Sequence, residues 1–267
     1  MASPVKITLL ADNTASLETL AEHGLSMLIE SGGRRVLFDT GQGKVLRHNL
    51  DALGISLAPL DAIVLSHGHY DHTGGLADAI EFGLPDAIYF HPAAVAPKFV
   101  STRAAQPRSI GMPPSALDAL SRFRGRIVHT SHPTEIVPGI WCTGEIPRSQ
   151  PLDDARNIFF LDSQCKQPDP LADDQALVIQ TPRGLVVAAG CTHSGVEDTL
   201  AQINRVSGCK PIHAVIGGLH LGDASADQLD SAARAIRNAQ CEFIAACHCT
   251  SLAAQAYLRN HLPERNR

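Results

Sequence analysis

The sequence predicts an α/β protein folded as an αββα sandwich, in which two mixed β-sheets pack face to face with helices outside. In each half of the chain, short apolar segments come first as pairs joined by tight turns and then alternate with amphipathic helical segments. A length of 267 residues lies at the upper end of what one hydrophobic core supports. We therefore expect a single domain over residues 1–267.

The first half begins with strands at residues 5–10, 25–30 and 34–38. Ser31-Gly32-Gly33 joins the last two, and a Gly-Gly pair suits a tight hairpin because glycine adopts positive φ without strain. The pattern then predicts a helix at residues 45–53, a short buried strand at 61–65, a helix at 74–82 and a strand at 87–90.

Two irregular stretches interrupt this order. Residues 92–121 are rich in Pro, Ser and Ala without a clear period, and residues 148–174 form a second long excursion. Strands are predicted between them at residues 126–129 and 140–143. We interpret 92–121 as an irregular or partly helical insertion, and expect both insertions to form the wall of a pocket.

The second half is more regular. Residues 176–180 and 185–189 predict a hairpin around Thr181-Pro182-Arg183-Gly184. Helices at 196–206, 226–239 and 251–260 then alternate with strands at 213–216 and 243–246, which favours a second mixed sheet covered by helices.

Composition restricts the partners. Hydrophobic residues make up 44% and charged residues 18%, and the net charge is −5 without a block of Lys or Arg, so neither a nucleic acid nor a membrane is expected as partner. The N-terminus lacks the pattern of a signal peptide, and seven scattered cysteines favour a reducing cytoplasm over a disulfide framework. We expect a cytoplasmic protein with a small-molecule substrate, and leave a homodimer open.

A metal-ligand motif follows the predicted strand at residues 61–65. It reads His67-Gly68-His69-Tyr70-Asp71-His72 and places four donor side chains within six residues. Imidazole and carboxylate groups suit zinc, manganese or iron. A loop allows alternate residues to face one metal and the remaining pair to face a second metal, so the motif indicates a dinuclear site.

With these motifs the chain resembles the metallo-β-lactamase superfamily along nearly its whole length. The shared motifs occur in the family's order: Phe38-Asp39-Thr40-Gly41, the HxHxDH motif with Thr73-Gly74-Gly75, Gly190-Cys191, and His248. A subgroup similar to the dihydropterin-ribofuranosyl-aminobenzene-phosphate synthases shares further marks: Thr143-Gly144-Glu145-Ile146-Pro147-Arg148, Gly190-Cys191-Thr192-His193, Gly217-Gly218-Leu219-His220-Leu221 and His248-Cys249-Thr250.

The resemblance implies two divalent metal ions, zinc in the first place, with iron or manganese as alternatives. It implies that His67 and His69 hold the first metal, and that Asp71, His72 and His248 hold the second. It also implies that Asp39 accepts a hydrogen bond from a ligand histidine and fixes its tautomer.

The chain departs from the family's pattern at two ligand positions. Glu145 stands where the third histidine of the first metal is usual, and we expect it as the replacement. Cys191 stands where the bridging Asp is usual, with His193 two residues later. Either can be the ligand, since alternation in a strand would point both the same way; we favour His193, and the alternative for Cys191 is a buried small apolar residue.

Other residues are weighed for substrate and packing. His220 follows Gly217-Gly218 and is a candidate for substrate contact or general acid, and Arg148 for pairing with a substrate phosphate or carboxylate. Cys247 and Cys249 flank His248, and strand alternation would point them away from the site, so we expect them to pack. His23 has no motif support.

By resemblance, the chain is a metal-dependent hydrolase that uses metal-activated water on a small, anionic ester, thioester, lactam or phosphoester, with Asp71 orienting the nucleophile. Two alternatives stay open. One is a synthase-like lyase or transferase that forms a bond with loss of phosphate. The other is a metal-binding sensor without turnover, which the two departures at the ligand positions motivate.

Overall fold

The computed structural model describes residues 4–16, 18–102, 105–150 and 158–262. The first half contains strands β1 to β5 and helices α1 to α3. In chain order they are β1 (Lys6–Ala11), β2 (Ser26–Ser31), β3 (Arg34–Phe38), α1 (Leu46–Ala52), β4 (Ala62–Val64), α2 (Tyr70–Thr73), α3 (Leu76–Gly83) and β5 (Ala87–Phe90). Gly32 and Gly33 both have positive φ, as a tight hairpin between β2 and β3 requires.

The middle of the chain is more ordered than the sequence indicated. After a 3₁₀ turn (Pro92–Val95) come β6 (Phe99–Thr102), β7 (Ala105–Ser109), α4 (Pro114–Arg122), β8 (Arg126–His129), β9 (Thr134–Val137), β10 (Ile140–Cys142) and β11 (Phe159–Phe160). The interpretation of 92–121 as irregular or partly helical missed two strands there. Residues 151–157 of the second predicted insertion lie outside the described residues.

The second half follows the predicted order. Its elements are β12 (Ala176–Thr181), β13 (Gly184–Ala189), α5 (Val196–Ser207), β14 (Ile212–Gly218), α6 (Ala226–Asn238), β15 (Phe243–Cys247) and α7 (Leu252–His261). Among the described helices, none is both long and apolar enough to cross a membrane.

Two six-stranded sheets form the sandwich, in the orders β1-β2-β3-β4-β5-β8 and β15-β14-β13-β12-β10-β9. Apolar residues from both sheets, such as Phe38, Val64 and Leu177, are fully buried in the layer between them. Helices α1, α3 and α4 cover the first sheet, and α5, α6 and α7 cover the second. The predicted αββα architecture is confirmed.

A third sheet, in the order β11-β6-β7, is built from the two predicted insertions, because β6 and β7 come from the first and β11 from the second. Phe159 on β11 lies with its ring centroid 5.5 Å from that of His69. The insertions therefore form part of the wall around the histidine cluster.

Candidate metal centre

The candidate ligands lie on loops that follow parallel strands. Strands β3, β4 and β5 run parallel in one sheet, and β13, β14 and β15 run parallel in the other, so their carboxyl ends meet at one edge of the sandwich. This edge of an open α/β sheet is where ligands commonly bind.

Four residues after these strands have left-handed backbones, at φ values between 49° and 60°: Asp39, Thr192, His220 and His248. Such conformations cost roughly 1–3 kcal/mol each outside glycine and concentrate at functional sites. They also interrupt the alternation of side chains between the two faces of a strand, at the point where each strand passes into a loop with candidate ligands. Side chains two positions apart in these loops therefore need not face the same way.

A first donor group contains His67, His69 and His193, whose donor atoms all lie within 4.8 Å of one another. The Nε2 of His67 is 2.9 Å from Nδ1 of His69 and 3.2 Å from Nε2 of His193. Burial, reinforced by the neighbouring histidines, lowers the pKa of His67 and of His193, and burial lowers that of His69 to about 3. All three rings are therefore neutral near pH 7, as metal ligation requires.

A second donor group surrounds His72. Its Nε2 lies 3.0 Å from Nε2 of His248, 3.2 Å from Sγ of Cys191 and 3.8 Å from Oδ2 of Asp71. Burial lowers the pKa of His72, but the carboxylates of Asp39 and Asp71 outweigh it and raise this pKa to about 9. Asp71 is itself held as a carboxylate, because the nearby histidines overcome the effect of burial and lower its pKa.

Asp39 and Ser66 set the tautomers of two of these rings. Asp39 Oδ2 accepts a hydrogen bond from Nδ1 of His72 at 2.7 Å. It also accepts one from Ser66 Oγ at 2.7 Å, so that this hydroxyl oxygen accepts in turn from Nδ1 of His67 at 2.8 Å. With both Nδ1 atoms donating, each ring turns its Nε2 toward the donor groups. His72, whose pKa is raised, would have to release its Nε2 proton to bind a metal.

His248 and Asp71 are held from the N-terminal segment. Asn13 Oδ1 accepts from Nδ1 of His248 at 2.9 Å, and Asp12 Oδ1 accepts from the backbone N–H of His248 at 2.8 Å. His23 Nε2 lies 3.1 Å from Asp71 Oδ2. The hydrogen bond with Asp71, opposed by burial, raises the pKa of His23.

His220 and Cys249 contact each other beside the first donor group. The rings of His220 and His193 are 4.3 Å apart, and Cys249 Sγ accepts the backbone N–H of His220 at 3.2 Å. Burial acts against both charged forms. Hydrogen bonding with Cys191 and His220 nevertheless lowers the pKa of Cys249 to about 5, and the Cys249 side chain raises the pKa of His220.

Cys249 is thus a correction to the sequence interpretation, which expected it to pack away from the site. Strand β15 ends at Cys247, and the left-handed φ of 53° at His248 breaks the alternation on which that expectation rested. Cys249 Sγ instead lies within 4.8 Å of donor atoms of Cys191 and His248.

Glu145 lies apart from the donor groups found among the described residues. Its side chain is 54% exposed, and its Oε2 atom lies 3.9 Å from Nε2 of His91. His193 occupies the position beside His67 and His69 that the sequence interpretation gave to Glu145, because the left-handed Thr192 sends His193 toward this group and leaves Cys191 beside His72.

Two nitrogen–nitrogen distances in the first donor group are close to those of a metal site. In a tetrahedral zinc site with Zn–N bonds of ~2.05 Å, adjacent nitrogens are about 3.3 Å apart, close to the 2.9–3.2 Å between the nitrogens of the first group. The second nitrogens of His69 and His193 are buried with no hydrogen-bond partner among the described residues. Thiolate, imidazole and carboxylate donors together suit zinc or a comparable transition metal.

Two cavities adjoin the donor groups, with His220 in the wall of both. One, of about 570 Å³, is lined among others by Asn13, His23 and Cys249. The other, of about 650 Å³, lies at the start of α5 and includes His193 and Arg148. Arg148 donates through one guanidinium nitrogen to the carbonyl oxygen of His193 at 2.8 Å, so it is placed at the site's edge.

Sequence reasoning missed the residues that hold the ligands. Asp12, Asn13 and His23 are remote from every motif in the chain, and no spacing could have linked them to His248 or Asp71. Ser66 could have been identified from the sequence as a residue that holds a ligand, because it lies between the predicted strand at residues 61–65 and His67.

A family model described as the metallo-beta-lactamase superfamily matches residues 20–144. A protein of Methanocaldococcus jannaschii named 7,8-dihydropterin-6-methyl-4-(beta-D-ribofuranosyl)-aminobenzene-5'-phosphate synthase is 30% identical, over 94% of this chain and 89% of its own length. An uncharacterized protein of the same organism is 31% identical, over 93% of this chain and 91% of its own length.

Solved structures give the same assignment of fold. One described as a metal-dependent hydrolase of the beta-lactamase superfamily has a TM-score of 0.82 at 29% identity, over 99% of this chain and 95% of that chain. A metallo-beta-lactamase fold protein from Bacillus subtilis has a TM-score of 0.58 at 14% identity, over 98% and 95% of the two chains, which is a likeness of fold alone.

Proposed function

The chain belongs to the metallo-beta-lactamase superfamily, and from this premise we propose that it is a metal-dependent hydrolase of a small, anionic ester, thioester, lactam or phosphoester. The observation that carries the proposal is the convergence of two donor groups in one buried site. Family membership implies metal binding. Two metal ions, zinc in the first place and iron or manganese as alternatives, are part of the proposal.

His67, His69 and His193 would hold the first metal. Asp71, His72 and His248 would hold the second, with Cys191 Sγ on the side of His72. Divalent ions bound in this way supply Lewis acidity and lower the pKa of water from 15.7 to about 7. Asp39, Ser66 and Asn13 accept hydrogen bonds from Nδ1 of their histidine partners, which leaves Nε2 of each ring to face a metal.

Asp71 and His220 are the residues proposed for proton handling. Asp71 stays ionised, and its hydrogen bond with His23 fixes the direction of the carboxylate, which suits it to orient a nucleophile. His220 has a raised pKa and lies in the wall of both cavities, so its imidazolium can donate a proton to a leaving group or stabilise a developing anion.

An anionic substrate group is proposed to meet Arg148. Its guanidinium lies in the wall of the cavity that also contains His193 and His220. The planar fork of arginine matches carboxylate and phosphate oxygens. Glu197 and Asp227 line the same cavity. We therefore expect the negative charge of the substrate to lie beside Arg148 and away from these two carboxylates.

The test is hydrolysis in ¹⁸O-labelled water with a panel of small esters, thioesters, lactams and phosphoesters, on protein of measured metal content. One atom of ¹⁸O in the product, with no second organic substrate, is the expected result. His69→Ala is expected to lose both metal and turnover. Full metal content and full turnover in that variant would show that the site has been misassigned.

A second candidate is a synthase, and the 30% identity to the named synthase over 94% of the chain favours it. Such an enzyme would join two organic substrates with loss of phosphate. Phosphate release that depends strictly on a second substrate, without ¹⁸O from water in the organic product, would support the synthase and exclude the hydrolase for that substrate pair.

A further inference from the structure

A buried polar segment, residues 169–175, runs beneath the donor groups. Asp169, Asp173, Asp174 and Gln175 in it are each at most 2% exposed. Burying three carboxyl side chains is costly unless each is paired or hydrogen-bonded. Their partners therefore indicate what the segment does.

Asp173 holds the loop that carries His67 and His69. Its Oδ2 accepts the backbone N–H of Gly68 at 2.7 Å, in the residue between the two histidines. A Cβ at Gly68 would overlap the carbonyl oxygen of Ala94, so the loop needs glycine at this position.

Asp174, the next residue, holds the loop that carries His193. Its Oδ2 accepts the backbone N–H of Ser194 at 2.7 Å. The neighbouring Gln175 binds the chain just before the His67 loop, since its Nε2 donates to the carbonyl oxygen of Leu65 at 2.9 Å. Two consecutive carboxylates thus bind loops that come from different sheets.

Lys98 joins this segment to the wall of the pocket. Its ammonium group is 1% exposed and donates to Oδ1 of Asp173 at 2.9 Å and to Oδ2 of Asp169 at 2.8 Å. The backbone N–H of Asp169 donates in turn to the carbonyl oxygen of Phe159 at 2.9 Å. The ring of Phe159 lies 5.5 Å from His69 and 5.2 Å from His193.

We propose that Asp173 and Asp174 are positioning residues that fix the His67–His69 loop against the His193 loop, and that Lys98 couples this alignment to the pocket wall at Phe159. The first donor group draws its nitrogens from both sheets. Charge-assisted hydrogen bonds to backbone N–H groups are strong and directional. Two such bonds from neighbouring residues set the separation of the two loops before any metal binds.

This inference rests on the metal-binding part of the proposed function and is independent of the reaction. Asp173→Ala and Asp174→Ala are each expected to weaken Zn²⁺ binding by about 10–100-fold, the range typical when a group that orients metal ligands is lost. Asp→Asn at either position should give an intermediate loss, because the amide oxygen still accepts. Competition with a chromophoric chelator measures the affinity.

Asp162→Ala is the matched control. Asp162 accepts the backbone N–H groups of Gln164, Lys166 and Gln167 within its own turn and contacts neither loop. The Zn²⁺ affinity of the Asp162→Ala variant should stay within about twofold of that of the wild-type protein. The visible spectrum of the Co²⁺-substituted protein, which reports ligand geometry, should change in the Asp173 and Asp174 variants and not in this control.

Loss of the charge on Asp173 leaves Lys98 buried without one partner, and that variant can fail to fold. Lys98→Met combined with Asp169→Asn and Asp173→Asn removes all three charges of this buried cluster and provides a second route, with the same expected weakening of Zn²⁺ binding. Variants that unfold at lower temperature but match the Asp162→Ala affinity and Co²⁺ spectrum would overturn the positioning role. A wild-type protein that binds no Zn²⁺ or Co²⁺ would instead overturn the metal centre itself.

Discussion

The hydroxyl of Ser66 is the link between one carboxylate and two ligand histidines. Asp39 binds His72 directly, but it reaches His67 only through Ser66, whose backbone N–H also donates to Asp39 Oδ1 at 2.7 Å. A single buried aspartate therefore controls one histidine in each donor group. The two donor groups are coupled through this residue pair as well as through their proximity.

Ser66→Ala should lower metal affinity by about 10–100-fold, because Nδ1 of His67 loses its acceptor and the inward Nε2 is no longer fixed as the unprotonated atom. Chelator competition and metal content per chain measure the effect. Ser121→Ala, which removes a hydroxyl bonded only to the carbonyl oxygen of Asp118 on α4, is the control and should bind metal like wild type. Equal affinity in the two variants would show that Ser66 does not act on His67.

His193 and Glu145 are two candidates for the third ligand of the first metal, and substitution of each is expected to have a different effect on metal content. His193→Ala should reduce the metal content by about one equivalent, because it removes one of three nitrogens from the first group. Glu145→Ala should leave the metal content unchanged, since the carboxylate points toward His91 and is half exposed. Elemental analysis of both variants decides; loss of metal from Glu145→Ala alone would restore the interpretation made from sequence.

At the scale of elements, the carboxyl end of β13 is packed against the start of the His67 loop. A Cβ at Gly190 would overlap the side chain of Ser66 and lie 3.4 Å from Asp39 Oδ2. Glycine at this position therefore allows strands from the two sheets to approach closely enough for His193 and His67 to share one donor group. The close approach is a property of strand packing and not of the ligand residues.

Gly190→Ala should destabilise the protein by about 1–3 kcal/mol, the usual cost of overpacking a close contact, and should weaken metal binding because Ser66 must move. Denaturant unfolding at equilibrium measures the first effect and chelator competition the second. Gly222→Ala is the control, since its new Cβ would meet only the carbonyl oxygen of Cys249 at 3.4 Å, an ordinary contact. If the stability and metal affinity of Gly190→Ala matched those of this control, the close approach of the two sheets would not depend on glycine at position 190.

At the scale of the whole molecule, periodicity and turn residues predicted the sandwich because they record which faces are buried. Residues 185–189, for example, are predicted as one strand of a hairpin and lie in β13, which pairs antiparallel with β12. The motif at residues 67–72 located the ligands of one sheet. The contributions of Asn13, His23 and Cys249 were not predictable, because contacts across 235 positions, as between Asn13 and His248, arise only when the two sheets pack.

The strands missed in residues 92–121 have the same explanation. Strands β6 and β7 pair with each other and with β11, which lies in the second insertion. Neither segment shows a strong alternation, because the small sheet packs over the donor groups and not within the main core. Strand propensity there depends on tertiary contacts that a local pattern does not record.

The opposite pKa shifts of the clustered histidines predict how the metal-free protein depends on pH. Four of them, His67, His69, His193 and His248, have a lowered pKa in the folded state, so their contribution to stability is complete above the unfolded value of 6.5 and is lost as the pH falls below it. Three others, His23, His72 and His220, have a raised pKa, so their contribution is complete below 6.5 and is lost as the pH rises, through about 9 for His72.

The free energy of unfolding of the metal-free protein should therefore be greatest near pH 6.5 and fall more steeply on the acid side, by up to about 1.4 kcal/mol per pH unit for each histidine with a lowered pKa. Urea unfolding between pH 4.5 and 9, in the presence of a chelator, measures the profile. His69→Gln should make the acid slope shallower by about one proton. A flat profile between pH 7 and 5 would contradict the neutral state of the four histidines with a lowered pKa, and with it their readiness to bind a metal without first releasing protons.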